Sequence, residues 1–496
     1  MNILLMSMPD ISCGYPNDLI TPPNLGLASI AGNLDKKHTV KIADLVLKRK
    51  NVKRAVVEAI RKTKPDVVGL SAMSFQYNTS VRIAKFIKIL NPHIKIALGG
   101  YHATSMYKEI ADSKDAEYFD FIFRGESDLS FNEAMNQLEN GGDLKTVDGL
   151  SFKENGRFIH NKKRELEDLD RIESPNRSAR LWRGYHVFKV PFDVAEFSRG
   201  CLMSCNFCNI RSMYGKSFRT YKIQRVMRDL ENAKRSGTRM ILFSDDNITL
   251  DVHKFEHLCE EIIKNGHNDL IYGVQVSSIG ISSSESLVKK MAEAGFKYVF
   301  LGIENASKKN LKVLDKGDII NKSKKAVKLL KENHILVAGG FIIGNPDDDY
   351  ESIEGTYKFA YDLAVDFIAI QLLVPYPKTL IREKLLESGL LINRDNYEQY
   401  NGAFCNIRTK YLNDEQLMSI KFKLRKKYFK TRKGNSFKAI MKNKRLSLRL
   451  FNRIIMILPV LVGFMLFEKI KKLFLTEDQI FKKYVQGLSN LNNFNI

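Results

Sequence analysis

The sequence predicts an α/β protein: a doubly wound N-terminal domain, a partial (β/α)6 barrel and a helical, basic C-terminal region. Three observations predict it. Short apolar runs alternate with stretches of helical periodicity over residues 1–145, six further apolar runs resume the alternation over 191–385, and from 386 to 496 the pattern is helical.

In the first stretch the apolar runs are Ile3–Met8, Val40–Ala43, Val67–Ser71, Ile94–Leu98 and Phe119–Phe123. Segments such as Val56–Ile60 and Val81–Leu90 lie between them, with apolar residues at helical spacing. Strand–helix alternation implies a parallel sheet covered on both faces, with ligands outside the carboxyl ends of its strands. Those ends are Ser71-Ala72-Met73-Ser74, Gly99-Gly100-Tyr101-His102 and Arg124-Gly125-Glu126, where glycine lets a large ligand approach the backbone. Residues 146–190 read as a hairpin with an Asn155-Gly156 turn followed by a polar linker. The runs over 191–385 are Val194–Ser198, Met240–Phe243, Tyr272–Val276, Tyr298–Leu301, Val337–Ile343 and Phe367–Leu373. Six units suit an open barrel better than a closed eightfold one.

With 496 residues and 44% hydrophobic content, the chain can bury two or three cores. Six cysteines are too few for a secreted disulfide framework, and three of them fall within eight residues, which points to a metal site in a reducing compartment. The first residues lack the pattern of a signal peptide, so a cytoplasmic location is expected. The net charge is +23, and residues 407–472 alone carry 19 Lys and Arg against 3 Asp and Glu. Within that stretch Ile454–Phe467 is uncharged and interrupted by Pro459 and Gly463, shorter than the about 20 residues that span a bilayer. It reads as a buried helix hairpin or as a peripheral membrane contact flanked by Arg449, Arg453, Lys469, Lys471 and Lys472. Nucleic acid is not the expected partner.

The chemistry-bearing motif is Cys201-Leu202-Met203-Ser204-Cys205-Asn206-Phe207-Cys208, spaced C-x3-C-x2-C. Three thiolates on one short loop can hold three irons of a 4Fe-4S cluster and leave the fourth open to chelate S-adenosylmethionine (SAM). Zinc is the competing reading; it wants a fourth protein ligand, for which His186 would have to fold in.

From Phe192 to about Leu386 the sequence resembles the radical SAM superfamily. Arg199-Gly200-Cys201 after a strand resembles the start of the family's cluster loop, and Phe207 stands where an aromatic residue lies near adenine. Ser244, Asp245 and Asp246 stand where a Gly-Gly-Glu-like segment holds the SAM amino group, with acidic residues replacing the glycines. The resemblance implies ribose or methionine contacts at Glu304, adenine packing at Gly340 and Gly344, and a carboxylate contact at Arg219. Lys378 replaces the glycine of the turn after the sixth strand. Each position has a structural alternative: helix capping for Asp245 and Asp246, an ion pair for Glu304, tight packing for the two glycines.

The order of a doubly wound domain followed by the cluster motif resembles the cobalamin-binding branch of that superfamily. Pro22-Pro23-Asn24-Leu25-Gly26-Leu27 and the three strand ends carry the resemblance. It implies cobalamin contacts at Ser71, Ser74, Gly99, Gly100, Tyr101, His102, Gly125 and Glu126. The Asp-x-His-x-x-Gly motif that places a histidine under cobalt in other cobalamin domains does not occur; Asp251-Val252-His253 lies in the second domain and lacks the glycine. His102 is then either a lower ligand or a polar loop contact.

These features imply an enzyme that cleaves SAM reductively to a 5′-deoxyadenosyl radical. Methyl transfer from cobalamin to an unactivated carbon or phosphinate centre of a small molecule or lipid is the leading expectation, with a reductant such as flavodoxin or ferredoxin. A non-methylating cyclase or rearrangement enzyme is the alternative. A methylthiotransferase needs three further N-terminal cysteines where only Cys13 stands, and a corrinoid sensor has no use for an open-site cluster.

Overall fold

The computed structural model describes residues 1–10, 20–431 and 477–490. The first eight strands are β1 (Asn2–Ser7), β2 (Ile20–Thr21), β3 (Thr39–Asp44), β4 (Val67–Ser71), β5 (Lys95–Gly99), β6 (Phe121–Phe123), β7 (Leu150–Glu154) and β8 (Arg157–His160). All but β2 form one sheet, in the order β3-β1-β4-β5-β6-β7-β8. β3, β1, β4, β5 and β6 are parallel, so the strand order reverses between β1 and β4. Alternate residues feed two cores. Leu4, Met6, Val68, Leu70, Ile96 and Leu98 pack with Val52, Val56 and Ile83 on one face, and Ile3, Leu5, Ala97, Phe121 and Phe123 pack with Leu27 and Phe131 on the other.

The hairpin β7–β8 turns through Asn155 and Gly156, both at positive φ (52° and 80°), as a two-residue turn between twisted strands requires. It does not stand apart from the N-terminal domain. β7 pairs antiparallel with β6, so this sheet runs to His160 rather than ending near residue 145.

The remaining strands are β9 (His186–Val187), β10 (Val190–Ala195), β11 (Ser198–Arg199), β12 (Arg219–Thr220), β13 (Met240–Phe243), β14 (Ile271–Ser277), β15 (Phe296–Glu304), β16 (Leu336–Ile343) and β17 (Phe367–Leu372). β10 and β13 to β17 are parallel and lie in sequence order, a six-stranded open barrel. Its helix-covered face buries Ile241, Phe243, Tyr272, Val274, Val299 and Leu301 against Leu230, Phe255, Leu258, Met291 and Leu330. At the open edge β9 pairs with β10, and β2, from the N-terminal part of the chain, pairs with β9.

The C-terminal region is less helical than its sequence pattern. After the helix Leu380–Glu387 the chain is mostly irregular to residue 413, with a 3-10 turn at Tyr397–Gln399 and a bridge between Leu391 and Ile407. Tyr400 is fully buried there; its hydroxyl donates to the Asn393 carbonyl at 2.6 Å and accepts from Arg382 at 2.7 Å. The helix Asp414–Thr431 packs on Tyr350–Asp362 through Tyr357 and Tyr428, and Phe481 and Tyr484 of the helix Glu477–Asn490 pack on Phe422. Ile454–Phe467 and Cys13 lie outside the described residues. No described helix is long and apolar enough to cross a membrane.

Candidate functional site: the cluster loop and the edge of the N-terminal sheet

The cluster loop follows the carboxyl end of β10, and the segment after β13 holds it there. Asp245 is buried and accepts hydrogen bonds from the backbone N–H of Phe197 (3.1 Å) and from the N–H and hydroxyl of Ser198. Asp246 accepts from the N–H of Gly200 at 3.1 Å, and the N–H of Ser244 donates to Ala195 at 2.9 Å. Burial raises the Asp245 carboxyl to about 7 and that of Asp246 to about 6, against the lowering effect of these donors. Neither residue caps the next helix; Asp251 does, accepting from Lys254. Gly200 sits at φ +87°, and a Cβ there would lie 2.4 Å from the Ser217 carbonyl oxygen, so only glycine fits where the chain turns into Cys201.

Cys205 is buried, and Cys201 and Cys208 are half-buried. Burial raises all three thiols and pushes Cys208 up to about 12; Cys201 adds to the rise of Cys205, and Cys205 and Cys201 to that of Cys208. Metal binding must therefore displace protons from this loop. The Asn247 side chain hydrogen-bonds Cys201. Asn206 anchors the loop centre: its N–H donates to Leu314 O at 3.2 Å, its side chain donates to Val313 O, and its carbonyl accepts from Ile381 N–H at 3.2 Å. Among the described residues no three His, Cys, Asp or Glu side chains converge closely enough to hold a single metal ion. His186 pairs with Pro191 at the amino end of β10, whereas the cysteines follow its carboxyl end.

The loop docked on Asn206 also delivers Lys316, which the sequence reading missed. Its ammonium lies 2.9 Å from Glu304, and both side chains are largely buried. Burial lowers its proton affinity, but Glu304 and the nearby thiols of Cys205 and Cys208 outweigh that and raise it. Glu304 adopts φ +66° at the end of β15 and is thus held in an ion pair beside the cluster loop. A lysine in a Gly-Asp-Lys-rich surface run carries no sequence signal for such a place.

Phe207 packs against the apolar cluster that includes Ile343 and Leu372. A Cβ on Gly340 would meet the Phe300 ring at 2.6 Å, so tight packing explains this glycine. Gly344 is at φ +84°; its N–H and that of Asn345 donate to Asp348 at 2.8 and 2.9 Å. Asp348, also missed, fixes the loop after β16. Lys378 is at φ +60°, and its ammonium pairs with Glu109 of the N-terminal domain.

Arg219 and Glu126 were assigned to different cofactors, and the structure joins them to each other. Both guanidinium ends of Arg219 bind the Glu126 carboxylate, at 2.9 and 2.8 Å. Arg219 is therefore engaged by a carboxylate of the protein itself, and Glu126 points toward the barrel.

At the N-terminal sheet, Ser71, Gly99 and Gly125 stand at the carboxyl ends of β4 and β5 and just after β6. Gly125 is at φ +74° with open space where a Cβ would project, whereas a Cβ on Gly100 (φ +97°) would lie 2.6 Å from Ala72 O. The buried hydroxyl of Ser74 and one carboxylate oxygen of Asp10, just after β1, have no hydrogen-bond partner among the described residues. Open space and unpaired polar atoms at one sheet edge fit a large polar ligand such as a corrin. Tyr101 opens the next helix, half-buried beside Tyr214; desolvation first, then Tyr214, Asp246 and Cys208, hold its phenol far above the ordinary range. The sheet edge and the cluster loop thus face one another.

His102 follows Tyr101 in the first turn of the same helix. It is 1% exposed, its ring lies 4.3 Å from Tyr77 and 4.8 Å from Tyr397, and burial lowers it to about 3. It is a neutral ring packed between aromatics, and its buried Nδ1 has no hydrogen-bond partner among the described residues.

The pattern of the radical SAM superfamily matches residues 195–360, and that of the B12 binding domain matches residues 20–134. An uncharacterized methyltransferase of Pyrococcus horikoshii is 32% identical over 430 residues, 86% of this chain and 92% of its own. The anaerobic magnesium-protoporphyrin IX monomethyl ester cyclase of Rubrivivax gelatinosus is 30% identical over 357 residues, 70% of this chain and 62% of the cyclase. Among solved structures, the cobalamin-dependent SAM radical enzyme OxsB superposes with a TM-score of 0.67 at 15% identity, covering 100% of this chain and 84% of its own. The radical SAM methyltransferase TsrM of Kitasatospora setae gives 0.66 at 16% identity, over 79% of each chain. These two likenesses are of fold. Sequence and site together make the chain a member of the radical SAM superfamily in its cobalamin-binding branch, an enzyme of 4Fe-4S cluster, SAM and cobalamin.

Proposed function

We propose that the enzyme transfers a methyl group to an unactivated carbon or phosphinate centre of a small-molecule or lipid substrate. The observation that carries this reading is that the helix Tyr101–Ala111, which leaves the carboxyl end of β5, meets the short helix Ile210–Tyr214 just after Cys208, with the Ser105 hydroxyl 3.1 Å from that of Ser212. A substrate between them would reach both cofactors. The curated methyltransferase that covers 92% of its own length supports the same reaction class.

When bound, the cluster and SAM supply a radical that abstracts hydrogen, and the corrin supplies the methyl group. Cys201, Cys205 and Cys208 hold the cluster. Asp245, Asp246 and Asn206 fix the loop in place, and Lys316 and Glu304 set a buried ion pair beside it. Ser71, Ser74, Gly99 and Gly125 would offer the edge for a corrin. The sequence has no Asp-x-His-x-x-Gly motif from which a bound corrin would take a histidine. Flavodoxin or ferredoxin is the class of reductant. The basic C-terminal run suits a lipid surface, and vesicle co-sedimentation of the chain with and without residues 407–496 tests that part.

The cyclase relative favours a second reading, ring formation without methylation. Anaerobically reconstituted enzyme given dithionite and methyl-labelled SAM separates the two. Label on the extracted corrin together with deoxyadenosine supports methyl transfer. Deoxyadenosine with no label on corrin or product supports the cyclase class.

A further inference from the structure

The two domains meet in a buried charge cluster next to the cluster loop. Arg199, 6% exposed, donates to Asp128 at 2.7 and 3.3 Å, to Glu126 at 3.2 Å and to Glu196 at 3.0 Å. Arg219 pairs with Arg199 across the β11–β12 ribbon and holds Glu126 in a bidentate fork. Tyr221 donates to Glu196 at 3.0 Å. Glu126 thus bridges both arginines of the ribbon that carries Gly200 and Cys201 on its end. On its other side, Glu126 follows Gly125. The N–H of Gly125 donates to Thr104 Oγ1 at 3.0 Å, and Thr104 Oγ1 donates to Gly100 O at 2.9 Å.

A continuous polar chain therefore runs from Gly100 through Thr104, Gly125, Glu126 and Arg219 to the base of the cluster loop. Salt-bridge partners this buried are costly to leave unpaired, so the ribbon and the Gly125 loop must move together. We infer that Glu126 is a positioning residue, not a cofactor ligand: with Arg199 and Arg219 it forms a clamp through which occupancy of the corrin edge and assembly of the cluster favour each other. The inference rests on the corrin lying at the edge described above. It differs from a merely structural salt bridge by predicting a coupling free energy between two sites.

The test is a titration of hydroxocobalamin into full-length protein prepared with its cluster and again after removal of iron by a chelator. In the wild type the dissociation constant is expected to be at least about fivefold lower with the cluster present. In Glu126→Gln, which keeps the shape and loses the charge, the ratio is expected to fall to within about twofold of one. Arg219→Lys, which keeps the charge but not the fork, is expected to give the same result should Glu126→Gln fail to fold. Iron loss to the chelator, followed with and without hydroxocobalamin, is expected to be slowed by the corrin in the wild type alone. Equal affinities in the two wild-type preparations overturn the inference, as does a full ratio retained in the variants, whatever their melting temperatures. Absence of hydroxocobalamin binding in both wild-type preparations overturns the corrin reading itself, and the inference with it.

Discussion

Asp245 and Asp10 make the argument at the scale of single residues, because each is a buried carboxyl with a different number of partners. Asp245 satisfies three donors of the strand before the cluster loop. Asp245→Ala leaves at least two buried backbone N–H groups unpaired, roughly 2–6 kcal/mol of stability, and urea unfolding with iron loading measures both effects. Asp10 has one oxygen without a partner among the described residues, and burial raises its carboxyl from 3.8 to about 7 despite the hydrogen bond from Thr79. A raised acid favours the folded state in its neutral form, so its contribution is complete below pH 3.8 and is lost as pH climbs to about 7. Cofactor-free Asp10→Asn is expected to lose this slope and to be more stable than wild type at pH 8, on the order of a few kcal/mol; denaturant midpoints across pH 4–8 check it. The cysteine triad stands out in the sequence because its three thiols fall within eight residues and their spacing carries the chemistry. Lys316, Asp348 and the partnership of Arg219 with Glu126 do not, since each depends on a contact between distant segments that leaves no local pattern.

Elements were legible where hydrophobic periodicity decides them. Val67–Ser71 and Met240–Phe243 were placed to the residue, because a strand of a covered parallel sheet must be continuously apolar. The stretch 388–413 was not, since its order comes from Tyr400, Arg382 and Asn393 rather than from a repeat. Glycine at a turn into a functional loop is testable at this scale. Gly200→Ala combines positive φ with a 2.4 Å approach to Ser217 O, and the loop must shift to accept it. The expected outcome is sharply reduced iron per chain after reconstitution with β10 and β13 otherwise folded, as read by circular dichroism.

Over the whole molecule, C-terminal and N-terminal segments are tied by contacts of unequal weight. Arg82 and Glu398 pair at 2.8 Å but are more than a third exposed, so Arg82→Ala is expected to cost less than about 1 kcal/mol. Tyr397→Ala strips a ring from buried His102 and is expected to cost about 3 kcal/mol. Guanidinium unfolding of both variants distinguishes them.

The two-residue strand β2 has a larger consequence than its length suggests. It is supplied from the N-terminal part of the chain to the margin of the barrel, outside β9. A fragment starting at residue 191 would lose β9 and β2, and with them the pairing at the amino end of β10, an invitation to pair with other copies. Expression of the catalytic half alone is thus predisposed to aggregate, and a gene cut at the apparent domain boundary would separate halves that are woven together.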